Sequence, residues 1–183
     1  MKFKKEPVLE LEDDDKAPTG NRAILFVYGL FCLSLFFICT PVIKIHTAGS
    51  LLLLFTLFSA WCLRFGKPHD TLIYNHMIYI SRTIWMMSLI ITAAVAVAGY
   101  VVYTLADNSI MQSAFDEMME GRGLSHQELA GTLMEYLKAN FMLMLSGALL
   151  CAVPTLLYTV YRLQHGITRA LKGHRLAKPE SWF

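Results

Sequence analysis

The chain predicts an all-α membrane protein: a four-span transmembrane helical bundle, N-in and C-in, with a cytoplasmic interfacial amphipathic helix and an external helical hairpin. Three observations carry this. Of 183 residues, 55% are hydrophobic and only 16% charged, against about 25% charged in an average globular chain. The charges cluster in the two tails and two connecting stretches, and four long segments carry no Asp, Glu, Lys, Arg or His. The basic residues are distributed unevenly among the connections. Such a composition excludes a soluble enzyme, a disordered chain and a disulfide-stapled secreted module. A net charge of +2 is too small to imply a nucleic-acid partner.

The apolar segments come first. Residues 23–43, 47–63, 83–106 and 141–161 give 21, 17, 24 and 21 residues without a charge. About 20 residues at ~1.5 Å rise cross ~30 Å of hydrocarbon, so each is a candidate span, the second using flanking residues or local thinning. None alternates apolar with polar residues as a barrel strand would. Thirteen Lys and Arg fall in residues 1–22, 64–82 and 162–183, against Lys44, Arg122 and Lys138 in the other connections. The positive-inside rule therefore places both tails and the 64–82 connection in the cytoplasm. Residues 1–22 are too acidic for a signal-peptide n-region, and the apolar run after them is longer than an h-region, so an uncleaved signal-anchor is expected.

The connections have their own patterns. Residues 1–22 mix a basic cluster with Asp13, Asp14 and Asp15 and are expected to be a disordered, solvated tail. In residues 67–82, Asp70 or Thr71 can cap a helix on which Ile73, Met77, Ile80 and Ile84 share one face. Asn75, His76, Tyr79 and Arg82 lie off that face, which predicts an amphipathic helix in the inner headgroup layer, with Arg82 and Trp85 at the boundary. Residues 107–140 carry six acids against two basic residues. Ser109–Met119 reads as one helix, ended by Gly121 and Gly123. Ser125 and Glu128 form a capping box for a second, with Leu124 and Leu129 as its staple. In residues 162–183, Arg162, His165, Arg169 and Lys172 form a charged stripe, with Leu163, Ile167, Ala170 and Leu171 opposite and Gly173 as the C-cap. That segment predicts anchoring to anionic headgroups.

Chemistry is sparse. Ionisable groups within a bilayer flag function, and the spans have none, which argues against ion-coupled transport. Their hydroxyls can bond within their own helices. Cys32, Cys39, Cys62 and Cys151 lie within apolar runs without metal or disulfide spacing. The six histidines sit at span ends or in the external helix, so no haem or metal site is expected. No phosphate loop, nucleophile elbow or zinc-protease motif is present. Ala94 and Ala98, with Gly147 and Cys151, show the small-residue spacing of closely packed helices. Pro154 predicts a kink.

Two stretches are similar to a known family. Residues 75–90 (NHMIYISRTIWMMSLI), preceded by Asp70, resemble an S-H-x-x-x-x-I-R-T-F-W region. Residues 161–179 (YRLQHGITRALKGHRLAKP) resemble a closing Y-R-x-x-x-G-x-x-R-L-x-x-x-x-P. Both occur in a family of small bacterial inner-membrane proteins of unknown function, loosely grouped with the chloroplast inner-envelope import channel subunit. His76, Arg82, Thr83, Trp85, Tyr161, Arg162, Gly166, Arg169 and Pro179 carry the similarity. Asn75, Ile84 and a longer external hairpin depart from it. The resemblance implies the four-helix fold and the compartment, and no activity.

The functional expectation is therefore a non-enzyme without a cofactor: an accessory or scaffold subunit of a larger membrane complex, with an oligomeric pore or translocation component as the alternative. Its partners would be anionic lipid and other membrane proteins or copies of itself, with no nucleic acid or small-molecule substrate. His76, Arg82, Trp85, Arg162, Arg169 and Lys172 form the expected cytoplasmic interface.

Overall fold

The computed structural model describes residues 18–181, with side chains from Arg22 onward. Six helices make up the described chain: α1 (Pro18–Ile38), α2 (Ile43–Arg64), α3 (Leu72–Leu105), α4 (Ser109–Met119), α5 (His126–Ala139) and α6 (Phe141–Leu171). No strand occurs among the described residues. Three of the helices, α2, α3 and α6, are long and apolar enough to cross a membrane, which is the signature of a membrane protein. The expected disorder of the N-terminal tail falls largely outside the described residues. Its inner limit moves, because α1 begins at Pro18 rather than after Arg22; proline suits a first helical position, where its missing N–H costs nothing.

The chain divides into two compact units, Met1–Trp85 with Tyr161–Phe183, and Met86–Val160. Helices α3 and α6 contribute to both.

In the first unit α1 packs against α2. Ile24, Val27, Tyr28, Phe31 and Ser34 are buried, the i, i+3, i+4, i+7 pattern of one helical face. The opposite face is also apolar, with Phe26, Leu33 and Phe36 exposed. Residues 39–42 make the turn. The Thr40 hydroxyl donates to the Phe37 carbonyl at 2.6 Å, and His46 Nδ1 meets the Ile38 carbonyl at 2.8 Å, so two side chains satisfy the frayed end of α1. Gly49 permits the close approach there: a Cβ on it would stand 2.7 Å from the Ile38 nitrogen and 2.8 Å from Phe37 Cβ.

Helix α3 starts at a Thr71 cap, whose Oγ1 accepts from the Tyr74 N–H at 3.3 Å. It continues without interruption to Leu105. The expected surface helix is thus the first part of a 34-residue rod about 51 Å long, well beyond a ~30 Å hydrocarbon core. Its expected polar face is not a water-facing one. Asn75, His76 and Tyr79 are buried together with Met77, Ile80 and Ile84, because α1, the end of α6 and the C-terminal segment supply partners for them.

Helix α6 ends in a Schellman motif. Gly173 has φ 67°, its N–H bonds the Ala170 carbonyl at 3.0 Å, and the His174 N–H bonds the Arg169 carbonyl at 2.9 Å. The left-handed residue redirects the chain, and residues 174–181 run back to α3.

In the second unit, α4 and α5 pair as the expected hairpin. Gly121, with φ 82°, closes α4. The Ser125 capping box is formed: the Glu128 N–H bonds Ser125 Oγ at 3.3 Å and the Ser125 N–H bonds Glu128 Oε2 at 2.8 Å. Helix α5 ends at Ala139 and does not run on into α6. Asn140 stands between them, its Oδ1 accepting from the Asp107 N–H at 2.8 Å and its Nδ2 donating to the Asp107 carbonyl at 3.2 Å. Within the same unit α3 and α6 approach at Ala98 and Gly147, where a Cβ on the glycine would lie 3.4 Å from that of the alanine. Helix α6 runs unbroken through Pro154.

Candidate functional site: a buried polar clasp

The densest polar chemistry in the first unit joins α1, α3, α6 and the C-terminal segment. Asn75 on α3 reads both polar atoms of one residue in that segment. Its Nδ2 donates to the Leu176 carbonyl at 3.0 Å, and its Oδ1 accepts from the Leu176 N–H at 2.9 Å. A primary amide is a peptide group in miniature, so Asn75 pairs with Leu176 as a neighbouring strand would. The Leu176 side chain is itself buried.

One residue on, His76 is fully buried and bonded at both ring nitrogens. Nε2 lies 3.1 Å from the His174 carbonyl and Nδ1 lies 3.1 Å from the Tyr28 hydroxyl. A carbonyl only accepts, so Nε2 carries the proton. Nδ1 of the neutral ring then accepts from Tyr28. The two rings meet edge to face, with centroids 5.9 Å apart. Tyr28 reaches this position because Gly166 on α6 has no side chain, as a Cβ there would come within 2.8 Å of Tyr28 Cζ.

One to two turns further along α3, Arg162 enters from α6. Its guanidinium carbon sits 3.7 Å from the centre of the Tyr79 ring. Its Nε donates to Thr83 Oγ1 at 3.2 Å and its Nη1 to the Ser181 carbonyl at 3.1 Å. The Tyr79 hydroxyl donates back to the Arg162 carbonyl at 3.1 Å. A buried guanidinium loses much hydration; an aromatic face and directed acceptors offset part of that loss.

The six expected interface residues therefore divide among three places. His76 and Arg162 join in the clasp, and Arg162, placed by the sequence on an exposed basic stripe, is only 3% exposed. The cause is Tyr79, which presents its ring and hydroxyl to the α6 residue facing it. Arg82 and Trp85 instead line a groove beside α2, shared with Arg64. Arg169 and Lys172 stand exposed at the end of α6. Thr83 and Gly166, which carry the family resemblance, belong to the clasp. Tyr28 is not marked by pattern, because its apolar run reads as uniform membrane helix; its signal is a lone phenol in that run. Helical periodicity puts Asn75 and Tyr79 on a polar face, and His174 and Ser181 act through backbone carbonyls, which no side-chain pattern reveals.

Chemically, the clasp fastens the C-terminal segment to α3. Its donors and acceptors named above are directed at the chain's own backbone and side chains. Compared with protein-family models, curated proteins and solved structures, the chain finds no match.

Proposed function

We propose that this chain is a multi-pass protein of a bacterial inner membrane, with four spans and both termini in the cytoplasm, that works without catalysis as an accessory or scaffold subunit of a larger membrane complex. The observation that carries this reading is the use made of the clasp: Asn75, His76 and Arg162 direct their bonds at residues 174–181 of the same chain. Catalysis requires positioned groups turned toward a reacting molecule, whereas these groups hold a protein segment in a defined shape. The long apolar helices supply the complementary feature. Leu89, Val95 and Tyr100 on α3, and Leu149, Val153 and Leu157 on α6, are exposed and suit contact with lipid or with partner helices.

Membership of the resembled family belongs to the same proposal, supported by His76, Thr83, Arg162 and Gly166 meeting at one place. The fourth span would be α1, which packs along α2 across a short turn. The basic bias of residues 64–82 and of the tails supports the orientation.

Purification of the full tagged chain in mild detergent tests the role. A larger membrane protein retained at fixed stoichiometry through two chromatographic steps is the expected result. A monodisperse lone species argues against the scaffold role. Conductance from the purified chain in liposomes would replace it with the pore alternative. Reporter fusions after Arg64 and Ser125 should report opposite compartments; the same compartment for both would overturn the four-span arrangement.

A further inference from the structure

Within the first unit, an open groove lies between α2 and α3, and its character changes along its length. Its apolar part, about 320 Å³, is lined by Leu54, Phe58 and Trp61 of α2 with Trp85 of α3. It adjoins a polar part of about 370 Å³, lined by Arg64, Ser81, Arg82 and Trp85. Arg64, Ser81 and Trp85 border both. The sequence gives this change a position. Arg64 directly follows the charge-free run 47–63, and Arg82 directly precedes the charge-free run 83–106. The two guanidinium groups therefore stand where two membrane helices leave hydrocarbon, with two indoles beside them. Leu54 lies ten residues before Arg64, about 15 Å along α2.

We propose that this groove is a binding site for one anionic phospholipid: the headgroup phosphate lies between Arg64 and Arg82, and an acyl chain lies along Leu54 and Phe58. Charge complementarity commits the site to an anionic lipid. Guanidinium groups match phosphate oxygens in planar, paired hydrogen bonds, and indoles favour the level at which headgroup meets chain. A free phosphate would use only the polar part and leave the apolar part unoccupied by the ligand. The site requires membrane insertion and does not depend on a scaffold role.

The test uses the full chain, stripped of lipid in mild detergent. Native mass spectrometry and thermal unfolding are followed with added dioleoyl phosphatidylglycerol, dioleoyl phosphatidylcholine or inorganic phosphate. Phosphatidylglycerol should bind at one per chain and raise the unfolding midpoint, with phosphatidylcholine at least tenfold weaker. Arg64→Gln and Arg82→Gln should each weaken phosphatidylglycerol binding about fivefold, and Arg64→Lys less than Arg64→Gln. Arg122→Gln, at the exposed Arg122–Glu120 pair between α4 and α5, should leave binding unchanged. Far-UV circular dichroism of each variant should match that of the parent, so that lost binding is not lost fold. Equal binding of the two lipids, equal weakening by Arg122→Gln, or full competition by inorganic phosphate would each overturn the assignment.

Discussion

Tyr79 and Arg162 hold each other at two points. The phenol hydroxyl donates to the arginine carbonyl at 3.1 Å, and the guanidinium carbon lies 3.7 Å from the centre of the tyrosine ring. One contact binds the backbone of α6 and the other its side chain, so neither the depth nor the rotation of α6 against this part of α3 can change without breaking one of them. From this fixed point Arg162 reaches Ser181 and Asn75 reaches Leu176. Residues 174–181 are thereby held from both ends.

Replacement of Asn75 by Leu should release that segment. The change keeps the volume roughly constant and leaves the Leu176 N–H and carbonyl unpaired, at about 1–3 kcal/mol for each group that stays buried. Trypsin cleavage after Arg175, timed by mass spectrometry in mild detergent, should accelerate at least tenfold. Asn75→Asp, which can accept but not donate when ionised, should give an intermediate rate.

Gly166→Ala should force Tyr28 out of its position, since the new methyl group would collide with the phenol. Overpacking of this kind costs about 1–3 kcal/mol. A lower thermal midpoint is the expected result. Tyr28→Phe removes the oxygen nearest the new methyl, so the double variant should lose less than the sum of the single changes. Strict additivity would show that the two residues do not meet.

Gly49→Val should separate α1 from α2 at their turn. The added side chain would press on the Ile38 backbone and Phe37, and backbone yields less readily than a flexible side-chain end. A loss of about 1–3 kcal/mol should be seen in denaturation, whereas Gly29→Val, with open space around its Cβ position, should cost nothing and gain slightly from the higher helix propensity of valine. Hydrogen exchange in residues 35–50 should localise the effect.

The start of α5 should depend on pH. Hydrogen bonds from the Ser125 backbone N–H and hydroxyl hold the Glu128 carboxyl below the usual carboxylate range. A depressed folded-state value means that the stabilisation is complete above the unfolded-state value and is lost as pH falls through the folded one. Protection factors of residues 126–129 should therefore fall in acid, below the ordinary glutamate range. Glu128→Gln keeps an acceptor without the titration and should abolish most of that pH dependence.

Features that depend only on neighbours along the chain are legible in the residues alone. Charge-free runs mark α2, α3 and α6 because a bilayer rejects unpaired charge over a fixed thickness. The capping box at Ser125 was legible because its partners are three residues apart, and Gly173 because a left-handed turn selects glycine locally. Where periodicity stood in for partners, the expectation failed. Asn75, His76 and Tyr79 lie off the apolar face of their helix, and an isolated helix turns such a face to water.

Only the tertiary structure supplied their actual partners, 101 residues away for Asn75, 98 and 48 for His76 and 83 for Tyr79. Arg162 likewise shares a helical stripe with the exposed Arg169 and Lys172, yet Tyr79 and Thr83 draw it inward. Helical periodicity tells which residues share a face. Whether that face meets water, lipid or another segment of the chain is decided by the hydrogen bonds and ring contacts that folding makes available, because a buried polar group is tolerated only where its partners are brought to it.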